Sequence, residues 1–197
     1  MGRKLGVLLV LLSAVSLVAA QAKLDSPFQV RYASNLNIGE SYINITNSGA
    51  SGGNICVNVY AFSPDEQEIS CCTCTVTPNG LYNLGVNRDL TSNTLTPAKP
   101  NSVVVKLVAT KPAGGCNAAT PTGSGNPLAT GLLAWGTTLH YNGASAGYDT
   151  TETAFSPATL SAAEEARITS FCAFAQANGS GYGICASCRA GGLAPSQ

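Results

Sequence analysis

Eight cysteines (Cys56, Cys71, Cys72, Cys74, Cys116, Cys172, Cys185 and Cys188) all lie downstream of an apolar N-terminal run, and this combination constrains the chain more than any other feature. Arg3 and Lys4 precede a nearly continuous apolar stretch over residues 5–18, and Val18-Ala19-Ala20 places small residues before Gln21. That is the layout of a secretory signal peptide, and the run is shorter than the ~20 residues a bilayer-spanning helix needs. Residues 1–22 are therefore expected to be a signal peptide, cleaved after Ala20 or Ala22. The mature chain is expected to be secreted, extracellular or periplasmic, with no membrane anchor. In such a compartment an even number of cysteines reads as a disulfide framework, each bridge contributing about 2–4 kcal/mol.

Eight cysteines allow on the order of a hundred connectivities, and spacing alone does not choose among them. Strand geometry does restrict them. Neighbours in an extended strand point to opposite faces, so Cys71 faces away from Cys72 and Cys74, and the vicinal pair bridges to different partners. Cys185-Ala186-Ser187-Cys188 is a CxxC pair, which in a thiol–disulfide oxidoreductase opens a helix after a strand. Here it follows a predicted helix in a Gly-rich stretch, which favours structural bridging. The Cys71-Cys72-x-Cys74 spacing does not match paired zinc ligands, and Arg189 stands where covalent haem attachment requires His. No metal and no cofactor is expected.

From Pro27 to Ala109, within an expected β-sandwich domain of residues 23–155, the dominant pattern is period-two alternation bounded by turn residues. Phe28, Val30 and Tyr32 alternate with polar neighbours, as do Ile43 and Ile45, and Ile55 through Phe62 alternates along its length. Ser63-Pro64-Asp65-Glu66 predicts a hairpin into a strand over residues 69–76, and Pro78-Asn79-Gly80 a turn into residues 81–86. The most apolar run, Val103-Val104-Val105-Lys106-Leu107-Val108, is expected at the centre of a sheet. Residues 111–130 read as a long surface loop tethered by Cys116, and residues 131–141 and 148–155 as two more strands. The expected fold is mainly β: an antiparallel β-sandwich, immunoglobulin-like, with a closed barrel as the alternative that pattern does not separate from it. Residues 156–197 form a helix plus a cysteine-containing C-terminal loop packed on the sandwich. Ser161-Ala162-Ala163-Glu164 is a capping box, Ile168, Phe171, Cys172 and Ala175 make one helical stripe, and Asn178-Gly179 supplies the stop. Cys172 on that stripe is expected to staple the helix to the sheet or to the terminal loop.

Only 10% of residues are charged, against about 25% in an average soluble domain. With Arg3 and Lys4 removed, eight basic residues face ten acidic ones, which supplies no basic face for nucleic acid. His140 is the single histidine and Gly-x-Ser-x-Gly is absent, so His140 reads as a half-exposed strand residue. No pair among the acids stands out for glycoside hydrolysis. Asp65, Glu66 and Glu68 read as a solvated hairpin tip in preference to a weak calcium site. Trp135, Tyr141 and Tyr148 are candidates for an aromatic platform under a sugar ring. Trp135, Thr137, Leu139 and Tyr141 share one strand face, and a sandwich core is the preferred reading of that stripe. Asn44-Ile45-Thr46 and Asn178-Gly179-Ser180 match the N-glycosylation pattern, relevant only in a system that glycosylates there.

Phe171-Cys172 through Asn178-Gly179-Ser180-Gly181-Tyr182-Gly183-Ile184-Cys185-x-x-Cys188, with Ala134-Trp135-Gly136-Thr137-Thr138-Leu139-His140, resembles a group of uncharacterised, exported, cysteine-rich bacterial proteins. The resemblance implies export and bridging, and no activity. The leading expectation is a secreted or cell-surface, non-enzymatic structural, adhesion or assembly module with a protein or glycan partner. A carbohydrate-binding module using the exposed aromatics is one alternative; a thiol–disulfide oxidoreductase using Cys185 and Cys188 is another.

Overall fold

The computed structural model describes residues 25–97, 99–122 and 126–188, so the expected signal peptide lies outside the described residues. Among the described residues nine strands form two antiparallel sheets, a sandwich-like arrangement. The first has the order β4-β3-β6-β1-β9, with β1 Phe28–Ala33, β3 Ile55–Phe62, β4 Glu68–Val76, β6 Val103–Thr110 and the two-residue β9 Ser156–Pro157. The second has the order β5-β2-β7-β8, with β2 Tyr42–Asn47, β5 Leu81–Gly85, β7 Leu132–Asn142 and β8 Gly147–Ala154. The apolar strand β6 is central, as its composition requires. The Ser63–Glu66 turn closes the β3–β4 hairpin: Glu66 N–H donates to the Ser63 carbonyl, 3.0 Å, with Glu66 at φ 66°. A five-residue π turn, Val86–Leu90, follows β5; the sequence pattern had extended that strand to residue 86.

Alternation places Ile43 and Ile45 of β2, Ile55, Val57, Val59 and Ala61 of β3, and Val103, Val105 and Leu107 of β6 between the sheets. Strand β3 is buried on both faces, because its other side carries Tyr60 and Phe62 into a second core beyond the first sheet. That second core is roofed by α1, Ala162–Asn178, whose buried residues are Ile168, Cys172 and Ala175. The segment expected as a surface loop also contributes: Ala118 and Ala119 are buried there, and the Tyr60 hydroxyl donates to the Ala118 carbonyl, 2.7 Å. An apolar face left by one sheet draws in even a Gly/Pro/Thr segment if a cysteine holds it nearby, and the Cys56–Cys116 bridge does so.

Helix α1 starts as predicted, with Glu164 N–H donating to Ser161 Oγ at 3.1 Å, and stops at Gly179 in the left-handed region, φ 67°. The reciprocal half of the capping box is not made. The Glu164 carboxylate pairs instead with Lys106 Nζ of β6, since a buried-side ammonium is a stronger partner than a backbone N–H. Beyond the helix, residues 183–188 run beside β4 as a parallel addition. Cys71 N–H donates to the Gly183 carbonyl at 2.9 Å, Cys185 N–H to the Cys71 carbonyl at 3.1 Å, and Thr73 N–H to the Cys188 carbonyl at 3.0 Å. The free edge of β4 is thereby closed.

Candidate functional site

The four bridges are Cys56–Cys116, Cys71–Cys172, Cys72–Cys185 and Cys74–Cys188. Cys71 faces the helix and Cys72 and Cys74 face the inter-sheet core, as alternation demands. Cys185 and Cys188 are each bonded to a different residue of β4, so the CxxC does not close on itself here. Glu68 carboxylate oxygen lies within 4.8 Å of the Cys71 and Cys172 sulfurs. Those sulfurs are spent on each other, and a zinc-type site needs thiolates.

Glu68 departs from the expected solvated hairpin tip. Asp65 and Glu66 are exposed, but Glu68 is 3% exposed and neither of its carboxylate oxygens has a partner. Burial pushes its pKa up to about 9, although Lys106 and Arg167 pull it down. The bulge between Ala61 and Phe62 accompanies this placement, pairing Phe62 with Glu68 across the hairpin. An acid next to two exposed acids carries no sequence signal for burial; only helix docking covers it.

The aromatic stripe is the second correction. In β7, Leu132, Ala134, Gly136 and Thr138 face inward, while Leu133, Trp135, Thr137, Leu139 and Tyr141 face away from the sandwich core. The preferred core reading of Trp135, Thr137, Leu139 and Tyr141 is therefore overturned. Both sides of β7 carry apolar residues, and alternation alone does not say which side is inside. The first sheet decides it: Gln29 and Arg31 of β1 reach across to the inward side, with Gln29 Nε2 donating to the Leu132 carbonyl at 2.8 Å and Arg31 Nη2 to Thr138 Oγ1 at 2.7 Å. The Arg31 guanidinium lies over Gly136, where a Cβ would fall 2.2 Å from Cζ.

Register assembles the outer face of the second sheet. Trp135 sits between Asn44 of β2 and Ala154 of β8; Thr137 between Tyr42 and Glu152; Tyr141 opposite Tyr148. Tyr42, Tyr141 and Tyr148 are exposed, the last two by 62% and 55%, and their rings meet edge-on with centroids 5.9 Å apart. Leu81 and Leu133 are exposed on the same face. Polar groups lie between: Asn83 Nδ2 donates to Asn44 Oδ1 at 2.8 Å, and Thr137 Oγ1 to Glu152 Oε1 at 3.0 Å. Strand β8 is exposed on both sides along nearly its whole length. His140 is exposed on the opposite side of the hairpin, its Nε2 2.8 Å from Thr151 Oγ1. Tyr42 was missed as a site residue, although it shares parity with Asn44 and opposes the stripe one strand over. Of the two glycosylation patterns, Asn44 lies on this face and Asn178 is the exposed last residue of α1.

Comparison with known proteins finds no matching family model, no matching curated protein and no matching solved structure. Four disulfides are typical of extracellular proteins, and no described helix is long and apolar enough to cross a membrane.

Proposed function

We propose that this chain is an exported, non-catalytic adhesion module, an immunoglobulin-like sandwich that attaches to carbohydrate through the outer face of the β5-β2-β7-β8 sheet. The observation that carries the reading is the asymmetry between the two sheets. One is roofed by α1 and the 116–122 segment; the other presents Trp135, Tyr42, Tyr141 and Tyr148 among amides and hydroxyls, with no covering helix among the described residues. Aromatic rings offer a broad contact area at little conformational cost, with polar groups nearby to fix orientation. The low charge supports a binding role over one driven by electrostatic steering. Separate bridges at Cys185 and Cys188 support bracing over the oxidoreductase alternative.

The test is binding of the purified, oxidised protein to a polysaccharide panel, by affinity electrophoresis and calorimetry. Trp135→Ala is expected to weaken binding by about tenfold or more, ~1.4 kcal/mol, with the melting temperature nearly unchanged because the side chain lies outside the core. Binding indifferent to Trp135→Ala, or absent from every polysaccharide, overturns the proposal. So does turnover of substrate by the wild-type protein in a hydrolase screen.

A further inference from the structure

We infer that the carbohydrate is an uncharged, extended polysaccharide lying along β7 and held at two aromatic stations, Trp135 with Tyr42 and Tyr141 with Tyr148. The inference rests on the carbohydrate reading above and adds the ligand's charge and shape.

Charge follows from which side chains reach the face. Among the described residues of β2, β5, β7 and β8, none pointing outward is Lys or Arg, and Glu152 is the only ionisable acid there. The basic side chains nearby are turned inward or already paired. Arg31 sits on the inner side, its Nε donating to Thr153 Oγ1 at 3.1 Å and its Nη2 to Thr138. His140 is on that same inner parity, bonded to Thr151. Arg88 borders the face at Gly85, opposite Tyr42, with the Glu40 carboxylate beside it, but its guanidinium is already paired with the Asp89 carboxylate at 2.6 Å. An acidic sugar would meet the Glu152 and Glu40 carboxylates, with Arg88 already engaged by Asp89, whereas hydroxyl groups have amides, threonines and three tyrosine hydroxyls to bond.

Shape follows from spacing. Tyr42 is opposite Thr137, so it lies diagonally from Trp135, at roughly 7–8 Å between backbones. Tyr141 is six residues further along β7 than Trp135, and at about 3.4 Å per residue the second station is about 20 Å from the first. A single sugar ring does not touch both. Between them lie Thr137, Leu139, Thr150 and Glu152, with the backbone at Gly39 close against the Leu139 side chain.

Calorimetry with neutral gluco- and manno-oligosaccharides, disaccharide against hexasaccharide, and with oligogalacturonate as the acidic comparator, tests both parts. The hexasaccharide is expected to bind at least roughly tenfold tighter than the disaccharide, with affinity insensitive to salt. Tyr141→Ala with Tyr148→Ala is expected to cost the hexasaccharide at least roughly tenfold in affinity, abolishing its advantage over the disaccharide. Equal affinity for both lengths, harmless tyrosine replacements, or tighter and salt-sensitive binding of oligogalacturonate overturns this inference while leaving the carbohydrate reading intact. Loss of that reading registers separately, as indifference to Trp135→Ala or no binding to any sugar.

Discussion

Glu68 is held under α1 by neighbours that give its carboxyl no hydrogen bond. Desolvation is the largest influence on it, raising its pKa to about 9 against a reference of 4.5. In the folded protein the group keeps its proton through neutrality; in the unfolded chain it releases that proton above about 4.5. The unfolded state thus binds fewer protons across that interval, and stability falls as pH rises from about 4.5 toward about 9, then levels. Glu68→Gln keeps the shape and removes the charge. Its melting temperature is expected to exceed that of the parent at pH 8, with a flatter profile between pH 5 and 9. Parallel profiles in a thermal-melt series would contradict this. Arg31 shows the same pressure in a cation: burial lowers its pKa, and Nη1 has no partner while Nε and Nη2 are satisfied by threonines.

At the scale of elements, α1 is a helix that its own sequence starts and stops but does not anchor strongly. Its buried stripe holds Ile168, the half-cystine Cys172 and the small Ala175, which is little apolar area for 17 residues. The Cys71–Cys172 bridge and the Lys106–Glu164 pair supply the docking. Replacing both Cys71 and Cys172 by Ser is expected to lower stability by about 2–5 kcal/mol. The amides of residues 162–178 should then exchange faster, while those of β3 and β6 stay protected. Hydrogen exchange read by mass spectrometry checks this, and uniform acceleration across the chain would argue against a locally stapled helix. Strand β4 is the counterpart element. Its three cysteines on alternating faces reach the helix on one side and the terminal segment on the other.

Across the whole molecule, three of the four bridges tie β4 to residues after 170, with sequence separations of 101, 113 and 114. Long closed loops are where cross-links constrain the unfolded chain most, about 4–5 kcal/mol each in the entropic picture. The C-terminal segment does two jobs at once: it supplies Cys185 and Cys188, and it covers the outer edge of β4 with backbone hydrogen bonds. A chain ending at Gly179 leaves Cys72 and Cys74 without partners and that edge open. Such a truncation is expected to give mixed-disulfide oligomers on non-reducing gels and a severalfold lower yield of monomer; a clean monomer of normal yield would refute the bracing role.

Cysteine parity along β4, the presence and order of every strand but β9, the central position of β6 and both ends of α1 followed from residue order, because alternation, turn chemistry and capping are local. The shared orientation of Trp135 and Tyr141 was equally legible. What residue order left open was absolute orientation: β7 is apolar on both sides, and Arg31 and Gln29 arriving from β1 decide which side is interior. Burial of Glu68, covering of β3 on its second face and the choice of Cys72 and Cys74 as partners for the CxxC were likewise decided by tertiary structure. Each depends on segments roughly 50 to 110 residues away packing against the first sheet, and no local pattern encodes a meeting at that range.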